Sequence, residues 1–230
     1  SIENTMDPAH NEFTHPTHGF LGMREDYEVQ DLTLEDGAWG TGYHNRMFAP
    51  RLAQRDMSAA SGREKEAWID GGVGHVGPHC TWVQIDASDT MKLHNYLLHT
   101  PIHETLDRWY LIATRNNLLD SRYDSTFADR SAFIAGQDKY VLEPQRPRIT
   151  PRGGTHEFLV PADKAIGRYR EYCRDWEERG WRIDVQRFRA EYDRVAYAIP
   201  SPARRQHKGW VLPAVPLVPG KAAAAAVREA

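Results

Sequence analysis

Three apolar, aromatic-rich runs follow one another in the middle of the chain, at residues 79–86, 91–100 and 106–114. Each has the length of a strand and the branched and aromatic content that fits a pleated, half-buried surface. The links between them are short and carry turn residues, Asp86-Ala-Ser-Asp89 and Pro101-Ile-His-Glu104. Links this short allow hairpins but no parallel crossover, which needs a dozen residues or more. The stretch is therefore expected to fold as an antiparallel meander. Upstream, residues 25–34 alternate loosely, Asp36-Gly37 is a hairpin turn signal, and residues 39–48 make a return strand. Residues 49–77 are polar, with Gly62, Gly71, Gly72, Gly74 and Gly77. They read as a long excursion with little regular structure, a candidate pocket lid.

From about residue 125 the period becomes helical. Phe127, Ser131, Ile134, Asp138 and Val141 recur at steps of four, three, four and three, which makes one stripe. Asp138 thus falls on the apolar face of its own helix. A carboxylate buried there is expensive unless it is ion-paired or binds a metal. A Pro- and Arg-rich loop follows at 145–154. Residues 161–180 form a second amphipathic helix, with Ile166, Tyr169, Cys173 and Trp176 on one face and Gly180 as C-cap. Its many charges read as a solvated face. A short helix is expected at 185–192. From residue 198 the prolines and the run Ala222 to Ala226 suggest an extended, poorly packed tail.

A chain of 230 residues suits one domain with a tail, divided here as 1–197 and 198–230. The net charge of −3 disfavours nucleic acid or an anionic membrane as partner. No apolar run approaches the roughly 20 residues of a membrane span, and no signal peptide is visible. Two cysteines, Cys80 and Cys173, fit a reducing, cytoplasmic setting. With no short spacing between them, they do not supply the paired Cys and His ligands of a two-Cys, two-His iron–sulfur cluster.

The candidate site lies at the start of the chain, in Glu3-Asn4-x-x-Asp7-Pro8-x-His10-x-x-x-x-His15. Neutral imidazoles are standard ligands for first-row metals. With 11 His in the chain, chance gives about half a pair at any fixed spacing, so the His pair alone decides little. Five residues apart, two imidazoles at a helix end can turn toward one point. They still need a third ligand from elsewhere. Asp7 is well placed as N-cap, with Pro8 in the first turn and Pro16 and Gly19 ending the helix.

The order of these residues resembles the iron-binding segment of Rieske non-haem iron oxygenases, in their catalytic α subunits. The segments around His99 to Tyr110 and Phe133 to Gln145 resemble the same family, in its vanillate-demethylase-like branch. The resemblance implies an α+β helix-grip (START-like) fold, an antiparallel sheet with flanking helices. It implies a mononuclear Fe(II) held by His10, His15 and Asp138, with Glu143 as the competing carboxylate. Asp7 would bridge an iron-ligand His to the donor cluster of a neighbouring subunit, and Asn4 would lie near the iron. It further implies O2 as co-substrate, an aromatic or other hydrophobic ring substrate, and a homotrimer. An NAD(P)H-dependent reductase or ferredoxin would supply electrons. The [2Fe-2S] centre has no ligands in this chain, which implies either an N-terminal Rieske domain outside it or a degenerate or stand-alone catalytic domain fed by another protein. Monooxygenation, dioxygenation and O-demethylation all remain open.

Two other functions fit parts of the pattern. A hydrophobic-ligand carrier could use the same helix-grip fold. A zinc hydrolase could use two His and a carboxylate, but it would want a general-base Glu near the ligands. Glu12 lies between the two His, though not in a His-Glu-x-x-His order. His94, His99 and His103 fall in or near strands and read as structural.

Overall fold

The computed structural model of the chain describes residues 1–51, 65–103, 105–148, 150, 157–198 and 211–221. Six strands form one antiparallel sheet in sequence order. They are β1 (Gln30–Asp36), β2 (Thr41–Ala49), β3 (Ala67–Val76), β4 (Cys80–Asp86), β5 (Lys92–His103) and β6 (Leu106–Arg115). Two short helices precede the sheet, α1 (Ile2–Thr5) and α2 (His10–Thr14). Three follow it, α3 (Asp124–Leu142), α4 (Lys164–Glu178) and α5 (Val185–Glu191). This is the expected α+β helix-grip arrangement, and β4, β5 and β6 are the meander read from the three central runs.

β3 is the main departure. Residues 67–76 lie within the stretch read as irregular, yet they pair with β2 on one side and β4 on the other. Residues 52–64 of that stretch lie outside the described residues. The glycines that masked the strand admit large neighbours. Gly42 and Gly74 are register partners, and Gly74 is also opposite Trp82. A Cβ on Gly74 would come within 2.5 Å of the Trp82 indole, so the ring lies where two side chains would otherwise stand. β1 also differs: it starts at Gln30 and runs to Asp36, with a bulge after Gln30 where Asp31 takes φ 52°.

The register sorts side chains between two faces, because successive residues alternate. Asn45, Gly71, Ile85, Leu93 and Arg115 form one row across five strands. Tyr43 and Val73 stand in the neighbouring row on the same face, and they pack with Met6, Ala165 and Ile166 into a core cluster. A second cluster joins Phe127 of α3 to Ala87 and Met91 beside β5. The helical stripe holds from Phe127, which is buried, through Ser131 and Ile134 to Asp138. It ends there, since Val141 is exposed.

The chain divides into two compact units, Ser1–Tyr169 and Arg170–Ala230. The first contains the sheet and α1 to α3. Within the second, Gly180 takes φ +76° beside Gly220, and Asp184 caps α5 by accepting from Arg187 N–H. Of the expected tail, the described residues 211–214 are exposed, while the stretch from 215 makes contacts. Val215 is buried, Ala198 bridges Ala214, and Ile183 bridges Leu217. Prolines leave an extended backbone whose remaining polar groups can still pair: Val215 N–H donates to Ala198 carbonyl and Asp184 N–H to Pro216 carbonyl. Among the described residues no helix is long and apolar enough to cross a membrane.

Candidate metal centre

The site forms where the first fifteen residues meet the far half of α3. α2 starts at His10 with Ala9 as N-cap, two residues later than an Asp7 cap would place it. Asp7 caps the preceding turn instead, its Oδ1 accepting Ala9 N–H at 2.8 Å. The helix then stops at Thr14. His15 leaves it in an extended conformation, φ −107° and ψ 103°. That break swings the second imidazole back toward the first, and the two ring centroids stand 5.3 Å apart in a T-shaped contact. The five-residue spacing thus does what a helix end permits.

Each ring has one nitrogen committed. His10 Nδ1 donates to the backbone carbonyl of Asp7, and His15 Nδ1 donates to Gln137 Oε1 at 2.8 Å. These acceptors fix the proton on Nδ1 and leave the Nε2 lone pairs free. Both Nε2 atoms face Asp138 Oδ1, at 3.7 Å from His10 and 3.4 Å from His15. Asn4 Nδ2 donates to the same oxygen at 2.9 Å. Two lone pairs aimed at a carboxylate repel unless a cation sits between them. The three ligand atoms all lie within 4.8 Å of one another. Facial ligands about 2.1 Å from a metal stand about 3 Å apart, so a small closure of this set encloses a first-row ion.

The titration behaviour fits this geometry. Burial holds His10 below its usual range, against the pull of Asp7 and Asp138. Burial also acts to lower His15, but its bonds to Asp138 and Gln137 prevail and raise it. Asp138 is lowered: burial opposes ionisation, and the bonds from His15 and Asn4 outweigh it. The raised His15 and lowered Asp138 mark a mutually stabilising pair. Asp7 is raised, chiefly by burial. Its carboxylate takes Ala9 N–H, while its backbone carbonyl takes the His10 ring proton.

Other candidates fall outside this centre. Glu143 is the exposed C-cap residue of α3 and faces Lys139 at 3.7 Å. His99 is buried between Ser1 Oγ and Thr81 Oγ1. His94 stacks on Tyr96, and His103 pairs with Thr105. Glu12 is 2% exposed and accepts from the N–H groups of Phe20 at 2.7 Å and Gly22 at 2.9 Å. That engagement removes it as the free general base a zinc hydrolase would want. Two participants were absent from the sequence reading. Gln137 precedes Asp138 in the sequence, yet nothing local marks it as the partner of a His 122 residues away. His18 packs 5.0 Å from His15, and burial with nearby positive charge pushes its pKa down to about 4.

Next to the centre lies a cavity of about 420 Å³. Its wall runs along Pro16, Thr17 and His18, crosses the sheet face at Asn45, Met47, Ile69, Ile85 and Leu93, and closes on α3 at Phe127 and Ile134. A volume of this size and an apolar lining suit a small ring compound.

The comparison with curated proteins finds no match. The family profile of the vanillate O-demethylase oxygenase C-terminal domain matches residues 1–179, which include the candidate metal centre, the sheet and α3. The chain therefore belongs to the family of vanillate O-demethylase oxygenase C-terminal domains, the catalytic domains of Rieske-type oxygenases.

Proposed function

We propose that the chain is a non-haem Fe(II) oxygenase domain whose iron is held by His10, His15 and Asp138. The convergence of the two free Nε2 atoms on Asp138 Oδ1 carries this reading. Two imidazoles and one carboxylate are the donor set of Fe(II) oxygenases, and they leave open positions for O2 and substrate. When bound, Fe(II) supplies the redox chemistry for reducing O2 and oxidising an aromatic or other hydrophobic ring by hydroxylation, dihydroxylation or O-demethylation.

The protein groups divide the remaining work. Gln137 and the Asp7 carbonyl orient the rings, Asn4 orients Asp138, and the cavity receives the ring and excludes water. Asp7, buried beside His10, is the proposed bridge for electrons arriving from a Rieske [2Fe-2S] cluster. That cluster is supplied from outside residues 1–230, in the setting of a homotrimer served by an NAD(P)H-dependent reductase or a ferredoxin. A carrier of hydrophobic ligands would use the cavity but would have no use for the three converging ligands.

Anaerobic loading with Fe(II), followed by metal counting, tests the assignment. One iron per chain is expected in the wild type. His10→Ala, His15→Ala and Asp138→Ala should each lose it. Stoichiometric iron in the His10→Ala or Asp138→Ala protein would refute the ligand set.

A further inference from the structure

Residues 16–22, which carry the chain away from His15, are wound into consecutive tight turns. His18 N–H donates to the His15 carbonyl at 2.9 Å, Leu21 N–H to the His18 carbonyl at 3.0 Å and Met23 N–H to the Phe20 carbonyl at 3.2 Å. Three of these residues take left-handed φ: Gly19 at 53°, Leu21 at 65° and Gly22 at 69°. Glycine adopts that region freely, but a leucine does so only where its surroundings hold it there. The Leu21 side chain is 46% exposed, so its own burial does not hold it. Phe20 stacks on Phe48 with centroids 4.1 Å apart, which fixes one ring but not the backbone on either side of it.

Glu12 holds the backbone. It is buried, and it stands on α2 between His10 and His15. Its Oε2 accepts Phe20 N–H at 2.7 Å and its Oε1 accepts Gly22 N–H at 2.9 Å. Turns that point successive main-chain N–H groups into one concavity make a nest for an anion. Here the anion is a side chain of the same chain. The loop closes tightly around it, and a Cβ on Gly19 would overlap Glu12 Oε2. A buried carboxylate is costly without donors, and a charged acceptor makes the stronger hydrogen bonds, so each side satisfies the other. The loop in turn reaches the metal centre. Pro16, Thr17, His18, Gly19 and Leu21 line the cavity, and the His18 ring packs 5.0 Å from His15.

We propose that Glu12 is a positioning residue of the metal centre: its carboxylate is the internal anion on which residues 16–22 are wound, and through them it sets His18 against His15 and shapes the cavity wall. Its effect on metal binding rests on the ligand set proposed above, while the winding of the loop is measurable without metal.

The test is Glu12→Ala in the whole chain, with acetate as the probe, because acetate replaces the carboxylate and the carbon beside it that the substitution removes. Amide hydrogen exchange in metal-free protein reads the loop. The Phe20 and Gly22 N–H groups should be protected in the wild type and lose protection in Glu12→Ala. Acetate should restore it, and acetamide or chloride at the same concentration should not. Co(II) added anaerobically reads the centre. Glu12→Ala should still take up one Co(II) per chain, but at least about tenfold more weakly, as for other lost supports of metal-bound histidines, and with an altered visible spectrum. Acetate should restore both and leave the wild-type spectrum unchanged. Glu12→Gln, which keeps the shape and turns one acceptor into a donor, should lose the same protection, and acetate should restore nothing because the space is filled. Unprotected Phe20 and Gly22 amides in the wild type overturn the proposal. So does wild-type protection and spectrum in Glu12→Ala, or a loss there that acetate does not reverse or that acetamide reverses equally. Where Glu12→Ala does not fold, Glu12→Gln with wild-type protection and spectrum overturns it. Metal counting separates the two readings. Full metal uptake with a spectrum indifferent to Glu12 overturns the Glu12 assignment alone. Loop protection that depends on Glu12, in wild-type protein that takes up no metal, overturns the ligand set alone.

Discussion

Replacing Gln137 with leucine tests whether the metal centre depends on a preset imidazole tautomer. His15 is 2% exposed, and its Nδ1–H has Gln137 Oε1 as acceptor at 2.8 Å. Leucine fills similar space and accepts nothing. The ring then has two choices. It can keep the proton on Nδ1, buried and unsatisfied, at about 1–3 kcal/mol. Or it can move the proton to Nε2, where Asp138 Oδ1 lies 3.4 Å away and accepts it. The second choice relieves the metal-free protein but blocks the ligand atom, so the penalty reappears when metal displaces that proton. Either way the loss falls on the metal-bound form. A penalty of that size corresponds to roughly a 10- to 100-fold weaker metal affinity, the range typical for lost partners of metal-bound histidines. Chelator competition with anaerobic Fe(II), or with Co(II) as a spectroscopic stand-in, reads it directly. Gln137→Glu keeps an acceptor in place and should hold metal as well as the wild type or better. A Gln137→Leu protein within about threefold of wild-type affinity would show that the tautomer is not set by this bond, and the argument for two free Nε2 atoms would fail with it.

Two more outcomes follow from the same centre. In metal-free protein the His15–Asp138 pair stabilises the fold over a limited pH window: the His15 share is lost as pH rises through its raised pKa, above the ordinary 6.5, and the Asp138 share is lost as pH falls through its lowered pKa, below the ordinary 3.8. The melting-temperature gap between wild type and Asp138→Asn should therefore be widest between those ordinary values and narrow on either side, and a pH-independent gap would contradict the pairing. Asp7→Asn should leave iron bound, since the ring proton goes to the Asp7 backbone carbonyl, but should remove most activity of the intact oxygenase; near-normal coupled turnover would leave Asp7 as a turn cap only.

Much of the fold was legible because the information was local. The strands β4, β5 and β6 announce themselves as branched and aromatic runs with short links, and α3 as a stripe of period 3.6. β3 was not legible. The residues that make it a strand are in its neighbours: Met47, His44 and Trp82 occupy the space that side chains at Gly71, Gly72 and Gly74 would need. A sequence reading sees three weak strand formers, whereas the sheet uses three vacancies. The start of β1 was misplaced for a related reason. The bulge at Asp31 breaks the alternation that would have marked it.

The site shows the same division. The proposed ligands His10, His15 and Asp138 are visible as residue types in a pattern, because metal ligands are of a few kinds. Their supports are not. The Asp7 carbonyl could be any residue's carbonyl, and Gln137 is an ordinary surface residue type until the fold delivers it to His15. Asn4 and Asp138 are 134 residues apart, and His15 and Gln137 are 122 apart. All six strands lie between the members of each pair, so these bonds close a loop that spans the whole sheet. Closing such a loop costs entropy that grows only slowly with its length, and the two hydrogen bonds offset part of it. A metal joined to His10, His15 and Asp138 would clamp the same loop a third time, and ligand binding to the folded state alone stabilises that state in proportion to the logarithm of ligand concentration. On the proposed ligand set, metal affinity and the stability of the sheet's closure are one linked quantity. The residues that orient the ligands (Asn4, the Asp7 carbonyl and Gln137) act on both.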